Sequence, residues 1–423
     1  AEIGGDMASS RRMNRLLQGD VGAGKTVVAL LAMLRAVENG YQAALMAPTE
    51  ILAEQHVRTL RELLGPLPVR VQLLTGRMPA SARRAALRSI ATGEAHIIVG
   101  THALIQESVT YHQVGLAVVD EQHRFGVRQR LALAEMGDHD AVGDPPHPDV
   151  LLMSATPIPR SLALTLYGDL DLSLLDERPP GRTGVRTAQR PASARASVLE
   201  FVREQVRAGR QAYLVYPLVE ESDTVALKAA TEEYRSLAEE VFPELTVGLL
   251  HGQMHADEKD RVMRGFAAGE IHVLVATTVV EVGIDVPNAT VMVVEHAERF
   301  GLSQLHQLRG RVGRGADQSY CVLLTSHPGA ADRLRLFCAT EDGFRIAEED
   351  MRIRGQGDLF GERQSGLPEF RFADLARDAA LLAAAREEAR AMIDGDPTLR
   401  AWPRIRDELA LRYGDRARLF QTG

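Results

Sequence analysis

One octapeptide constrains this chain more than any bulk property. Gly19-Asp20-Val21-Gly22-Ala23-Gly24-Lys25-Thr26 fits G-x-x-x-x-G-K-[ST]. It lies between an apolar run, Met13 to Leu17, and a stretch with helical periodicity over 26–39. A strand that passes through a glycine-rich turn into a helix points backbone N–H groups inward. It also presents the positive end of the helix dipole, so the turn becomes an anion site. Gly19, Gly22 and Gly24 shape that loop, Lys25 brings a point charge for the β- and γ-phosphates, and Thr26 brings a hydroxyl for a metal. ATP and Mg2+ are the expected ligands. The chain holds 49 basic residues but only three lysines (Lys25, Lys228 and Lys259), and one of them stands where this motif requires it.

The surrounding pattern predicts an α/β fold. Apolar runs at 43–48, 95–101, 115–120 and 150–155 read as buried strands, separated by helical stretches such as 50–64. After a turn-rich segment at 177–191 the alternation restarts, with runs at 212–218, 247–251, 271–276, 290–295 and 320–324. Two tandem lobes with parallel sheets are expected: a first lobe over 1–178, a linker over 179–191 and a second lobe over 192–330. Residues 331–423 lack the alternation and form a C-terminal appendage, with a Gly-rich charged run at 352–366 and an Ala/Arg-rich helix at 373–393.

Two further constellations join the loop. Asp120-Glu121-Gln122-His123 closes the apolar strand Leu116 to Val119, on the carboxyl edge of the predicted sheet. Alone, an acidic pair after a strand is usually a solvated turn. Beside a phosphate loop, Asp120 suits the metal and Glu121 suits the attacking water. Ser154-Ala155-Thr156 ends the next strand; Ser154 and Thr156 are placed to relay nucleotide state. In the second lobe, Gln307-Leu308-Arg309-Gly310-Arg311-Val312-Gly313-Arg314 packs three arginines into six positions. Such a run is usually a solvated face. It is also what an arginine-finger mechanism needs, and Arg311 and Arg314 are assigned as fingers, with Gln307 beside them. The segment 277–285, carrying Gly283 and Asp285, is expected to line the same cleft.

Bulk properties exclude little. The net charge of -8 argues against a uniformly basic nucleic-acid surface but not against a local groove. Cys321 and Cys338 lack metal-ligand spacing and read as thiols of a reducing compartment, the cytoplasm. The first residues hold no apolar leader, and no run approaches the ~20 apolar residues a membrane span needs.

These blocks, in this order, resemble the superfamily-two helicases. DEQHRFGV (120–127), SATPIPR (154–160), LYGDLDLSLLDERPPGR (166–182), TTVVEVGIDVPNATVMVVEHAERFGLSQLHQLRGRVGR (277–314) and DMRIRGQGDLFGERQSG (350–366) are similar to the RecG family within it. The transcription-repair coupling factors share this motor and are the near alternative; Gln122 and the LYGDLDLS run favour RecG. The resemblance implies two RecA-like lobes, MgATP in the cleft, and a helical hairpin and loop that couple lobe movement to duplex DNA. By position it implies that Arg333 belongs to the hairpin and that Arg354 and Gln364 belong to the loop, where Gln356 stands in place of the family's usual proline. It puts Thr49, Arg77, Thr101 and His251 near the DNA path. Double-stranded and branched DNA (forks and Holliday junctions) are the implied substrates, with single-stranded DNA-binding protein as a partner and a monomer as the working unit. The resemblance also implies that the chain is the motor portion, without the family's N-terminal wedge domain and adenine-reading segment. A hydrolytically weak DNA-binding fragment and an RNA helicase are the alternatives.

Overall fold

The computed structural model describes residues 1–106, 108–121, 147–155, 170–177, 184–217, 231–277, 286–315, 317–327, 329, 331–359 and 378–413. Over these residues two separate parallel sheets form, each built from its own half of the chain. The first sheet has seven strands: β1 (Asn14–Gly19), β2 (Gln42–Met46), β3 (Val71–Leu74), β4 (Ile97–Gly100), β5 (Val114–Val119), β6 (Asp149–Ser154) and β7 (Asp171–Leu175). Their order is β3-β4-β2-β5-β6-β1-β7. The second sheet has six: β8 (Val185–Pro191), β9 (Gln211–Val215), β10 (Val247–Leu250), β11 (Val273–Ala276), β12 (Ala289–Val294) and β13 (Ser319–Thr325), in the order β10-β11-β9-β12-β13-β8.

Central strands are apolar throughout because helices cover both faces. Along β2, Ala43 and Leu45 face the core under α1 (Lys25–Glu38) and α2 (Glu50–Leu64), while Ala44 and Met46 face the core under α3 (Ala80–Ala91). In the second sheet, α4 (Arg195–Arg207) covers one face through Val198, Leu199, Val202 and Val206. The other face carries α5 (Ala256–Ala267), α6 (Leu302–Arg309), α7 (Ala331–Ala339) and the start of α8 (Gly343–Leu359). Phe266, Phe300 and Phe337 are fully buried there, each contributing about 1.5–3 kcal/mol of burial.

Two segments differ from the sequence reading. The linker expected over 179–191 contains β8, which pairs along β13 from Val185↔Ser319 to Pro191↔Thr325. Its polar sequence, VRTAQRP, is tolerated because β8 is the sheet edge and half-exposed. The Gly-rich run expected as a loop from 352 is helical as far as Leu359, since α8 continues through it. Gly355 and Gly357 each cost such a helix about 1 kcal/mol without ending it.

The C-terminal region is shared between the lobes. α7 and α8 belong to the second core, whereas α9 (Ala379–Gly395) docks on the first lobe by polar contacts. There Arg390 clamps Asp171 with two bonds of 2.5 and 3.0 Å, Arg386 donates to the Leu170 carbonyl, and Asp394 accepts from Arg11 at 2.8 Å. The last described helix is α10 (Pro403–Tyr413). No helix among the described residues is long and apolar enough to cross a membrane.

Candidate active site

The glycine loop leaves β1 at its carboxyl end. Gly19 has to be glycine because a Cβ there would sit 2.9 Å from the Leu175 Cβ on β7. Gly22 and Gly24 have φ of 79° and 90°, the left-handed region open to glycine at no cost. Lys25 opens α1 and is buried, and its Nζ donates to the Gly19 and Asp20 carbonyls at 2.9 and 2.8 Å. Burial lowers the Lys25 pKa, against the raising fields of Asp120, Glu121 and Asp20.

Asp120 and Glu121 follow β5 and face the loop across a cavity of about 290 Å³. Its walls include Gly22, Gly24, Lys25, Thr26, Asp120, Glu121 and Ala155 of the first lobe, with Arg311 and Arg314 of the second. Burial pushes the Asp120 carboxyl up, but the His56 hydrogen bond, the charges of His56 and Lys25, and the Glu121 N–H together bring it below its ordinary value. Glu121 has φ of 52°, an uncommon conformation for a side-chain-bearing residue, and its N–H turns back onto Asp120 Oδ1 at 3.0 Å.

His56 was not singled out from sequence. It lies on α2, with Nε2 2.8 Å from Asp120 Oδ2, and lines the cavity with Gln55, Leu52 and Thr59. A signal was available, since His56 shares a helical stripe with Ala53, Val57, Leu60 and Leu64, all buried. A polar side chain on such a stripe needs a partner.

The three arginines of the second lobe separate. Arg311 and Arg314 reach the cavity, while Arg309 turns away, stacks 4.1 Å over the Phe337 ring and donates to the Phe337 and Thr340 carbonyls at 3.1 and 2.9 Å. Gln307 is buried on the same helix and is not part of the cavity wall. Ser154 is buried at the end of β6, next to Ala155 of the wall. Gly283, Asp285, Thr156 and Gln364 lie outside the described residues, and Arg354 lies in the α8 backbone.

The residues expected along the DNA path cluster at the carboxyl ends of strands. Thr49 caps α2 after β2, accepting from the Leu52 N–H at 3.3 Å. Thr101 follows β4 and is buried, and its Oγ1 has no partner among the described residues. His251 follows β10, where burial and the nearby Lys259 lower its pKa. Arg77 follows β3 and reaches the second lobe, bonding Asp257 at 2.8 Å and Asp260 at 2.7 Å. Arg333, expected in the hairpin, donates to the Glu298 carbonyl at 2.8 Å.

Three family models match consecutive parts of the chain. They are the DEAD/DEAH box helicase over residues 6–165, the helicase conserved C-terminal domain over 196–316, and the ATP-dependent DNA helicase RecG, domain 3, C-terminal, over 340–405. The ATP-dependent DNA helicase RecG of Synechocystis is 51% identical over 414 residues, covering 97% of this chain and 49% of that protein. The Bacillus subtilis protein of the same name is 48% identical over 412 residues, covering 96% and 59%. Among solved structures, RecG bound to a three-way DNA junction is similar with a TM-score of 0.75 and 48% identity, covering 90% of this chain and 49% of that one. The chain therefore spans about half the length of the curated relatives it matches. Its two lobes are RecA-like, and its similarity runs through both of them and into the helices that follow: the chain belongs to the RecG family.

Proposed function

We propose that this chain is the ATP-hydrolysing motor of a translocase on double-stranded and branched DNA, of the kind found at forks and Holliday junctions. One observation carries the reading. Arg311 and Arg314 of the second lobe line the same cavity as Lys25, Asp120 and Glu121 of the first. A nucleotide there would touch both lobes, so its hydrolysis would depend on how they sit together.

The residues fit MgATP as substrate. Lys25 and the loop N–H groups would hold the β- and γ-phosphates. Thr26 and the ionised Asp120 would hold magnesium, which when bound offsets phosphate charge. Glu121 would orient and polarise the attacking water, and Arg311 and Arg314 would neutralise charge gathering on the transferred phosphoryl group. Branched DNA as the substrate class is supported by the relative named as bound to a three-way junction. Thr49, Arg77, Thr101 and His251 would contact backbone phosphates without reading sequence.

Steady-state ATP hydrolysis tests this reading, measured with closed circular duplex, linear single strands or no DNA. Duplex is expected to stimulate hydrolysis. Lys25→Ala and Glu121→Gln should each lose roughly a hundredfold or more. Hydrolysis undiminished in Lys25→Ala would overturn the site assignment.

A further inference from the structure

Next to the residues that line the cavity, the lobes also meet at a largely buried contact on the phosphate loop. His306 of α6 is 4% exposed, and its Nε2 lies 2.7 Å from Asp20 Oδ1 in the loop. Its other nitrogen, Nδ1, lies 3.0 Å from Arg309 Nη2. A guanidinium has only donors, so Nδ1 must accept and the imidazole N–H must sit on Nε2, aimed at Asp20. Arg309 is itself anchored by its stacking on Phe337 and by the Phe337 and Thr340 carbonyls at the end of α7. The Asp20 carbonyl, in turn, holds the Lys25 ammonium. One line of bonds therefore runs from α7, through the helix that leads into the fingers, to the lysine of the phosphate loop.

Two comparisons single out this line. Among the described residues, the ion pairs of Arg77 with Asp257 and Asp260 and of Arg264 with Glu54 also join the lobes, but they involve arginine side chains 44% and 59% exposed and are weakened by solvent and salt. The contact at His306 is far less exposed, at 5% and 23%, and lies in the helix that leads into the fingers. Moreover, Gly310, between Arg309 and Arg311, approaches Val21 so closely that a Cβ there would lie 3.0 Å from Val21 Cγ2.

We propose that Asp20, His306 and Arg309 form a positioning relay that seats the finger segment on the phosphate loop and ties that seating to the end of α7. None of the three need touch the nucleotide. The relay tells the fingers when the lobes are closed, and it rests on the reading of the cavity as an ATP site.

Two readouts on the full chain test it: duplex-stimulated ATP hydrolysis, resolved into kcat and KM, and energy transfer between one dye on each lobe without nucleotide. His306→Leu removes both bonds at similar volume. It should lower kcat roughly tenfold, with KM changed less than about threefold, and should reduce energy transfer. His306→Gln can still donate to Asp20 and accept from Arg309, and should keep kcat within about threefold with wild-type energy transfer. Asp20→Ala cuts the same bond from the other lobe and should match His306→Leu, so a folding failure in one variant leaves the other. Wild-type kcat and energy transfer in His306→Leu would overturn the relay, as would His306→Gln failing as badly as His306→Leu. If the wild-type chain hydrolyses no ATP, the nucleotide reading falls, and the energy-transfer comparison still decides the relay.

Discussion

His56 Nε2 and Asp120 Oδ2 lie 2.8 Å apart, joining the second helix of the first lobe to the acidic pair that closes β5. Both side chains are largely buried, at 11% and 15% exposed, and both line the cavity. His56→Leu should strand the Asp120 carboxylate and destabilise the first lobe by about 1–3 kcal/mol, seen as an earlier unfolding midpoint in urea. It should also lower kcat for ATP hydrolysis, because the carboxylate proposed to hold the metal loses one of its fixing bonds. His56→Gln keeps a donor within reach and should recover most of both losses.

Gly310 offers a way to separate the lobes without touching a charged group. A Cβ there meets Val21 Cγ2 and Cβ at 3.0 and 3.1 Å. Gly310→Val should push the finger segment off the phosphate loop and reduce kcat roughly tenfold or more. The unfolding temperature should move little, because the clash lies between the lobes rather than inside either core. A large fall in that temperature, with kcat intact, would show that the contact serves stability instead.

Arg195, Glu295, Glu233 and Tyr216 form a polar network in the second lobe. Arg195 bonds Glu295 at 2.8 Å and Glu233 at 2.6 Å, and its Nη2 lies 3.2 Å from the Tyr216 hydroxyl. The Glu295 side chain is 7% exposed. Arg195→Leu should leave that carboxylate without its countercharge, at a cost of about 1–3 kcal/mol to the second lobe. Arg195→Leu with Glu295→Leu should recover much of it. Two-phase urea unfolding, with the loss confined to one phase, is the check.

The docking of α9 on β7 should depend on pH. Hydrogen bonding to Arg390 is the largest influence on Asp171 and holds its carboxyl below the usual aspartate range, despite some burial. A depressed carboxyl contributes stability that is fully present above its unfolded value, near ~4, and is lost as pH falls through the folded value. Between pH 5 and pH 8 the contact should therefore be constant, and only in stronger acid should it fail. Amide exchange along 379–395, compared at about pH 6 and about pH 3 after correction for intrinsic rates, measures it. In Asp171→Asn the pH difference should shrink, with faster exchange at both values.

What could be read from sequence follows from how each element is buried. Strands β2, β4 and β5 are covered on both faces, so they appear as unbroken apolar runs such as AALM and IIV. The edge strands β7 and β8 are half-exposed, and DLSLL and VRTAQRP carry no such run. In the site, the glycine loop and acidic pair stand out in the sequence by residue type and spacing, and the structure brings them to one cavity. The partners of those residues were not. His306 meets Asp20 across 286 residues of sequence, a pairing that only the packing of one lobe on the other creates. Arg309 shares a run of six positions with Arg311 and Arg314 but carried no assignment of its own; burial against Phe337 shows why it stands apart from them.

That the cavity draws its walls from two independent sheets makes this chain resemble a pair of subunits joined by a peptide bond. The stretch from Leu175 to Val185 keeps each half at a local concentration on the order of millimolar around the other. Their mutual affinity can then be feeble and the site still assembles. Feeble affinity is what a cycling machine requires, because halves that bound tightly would close once and stay closed.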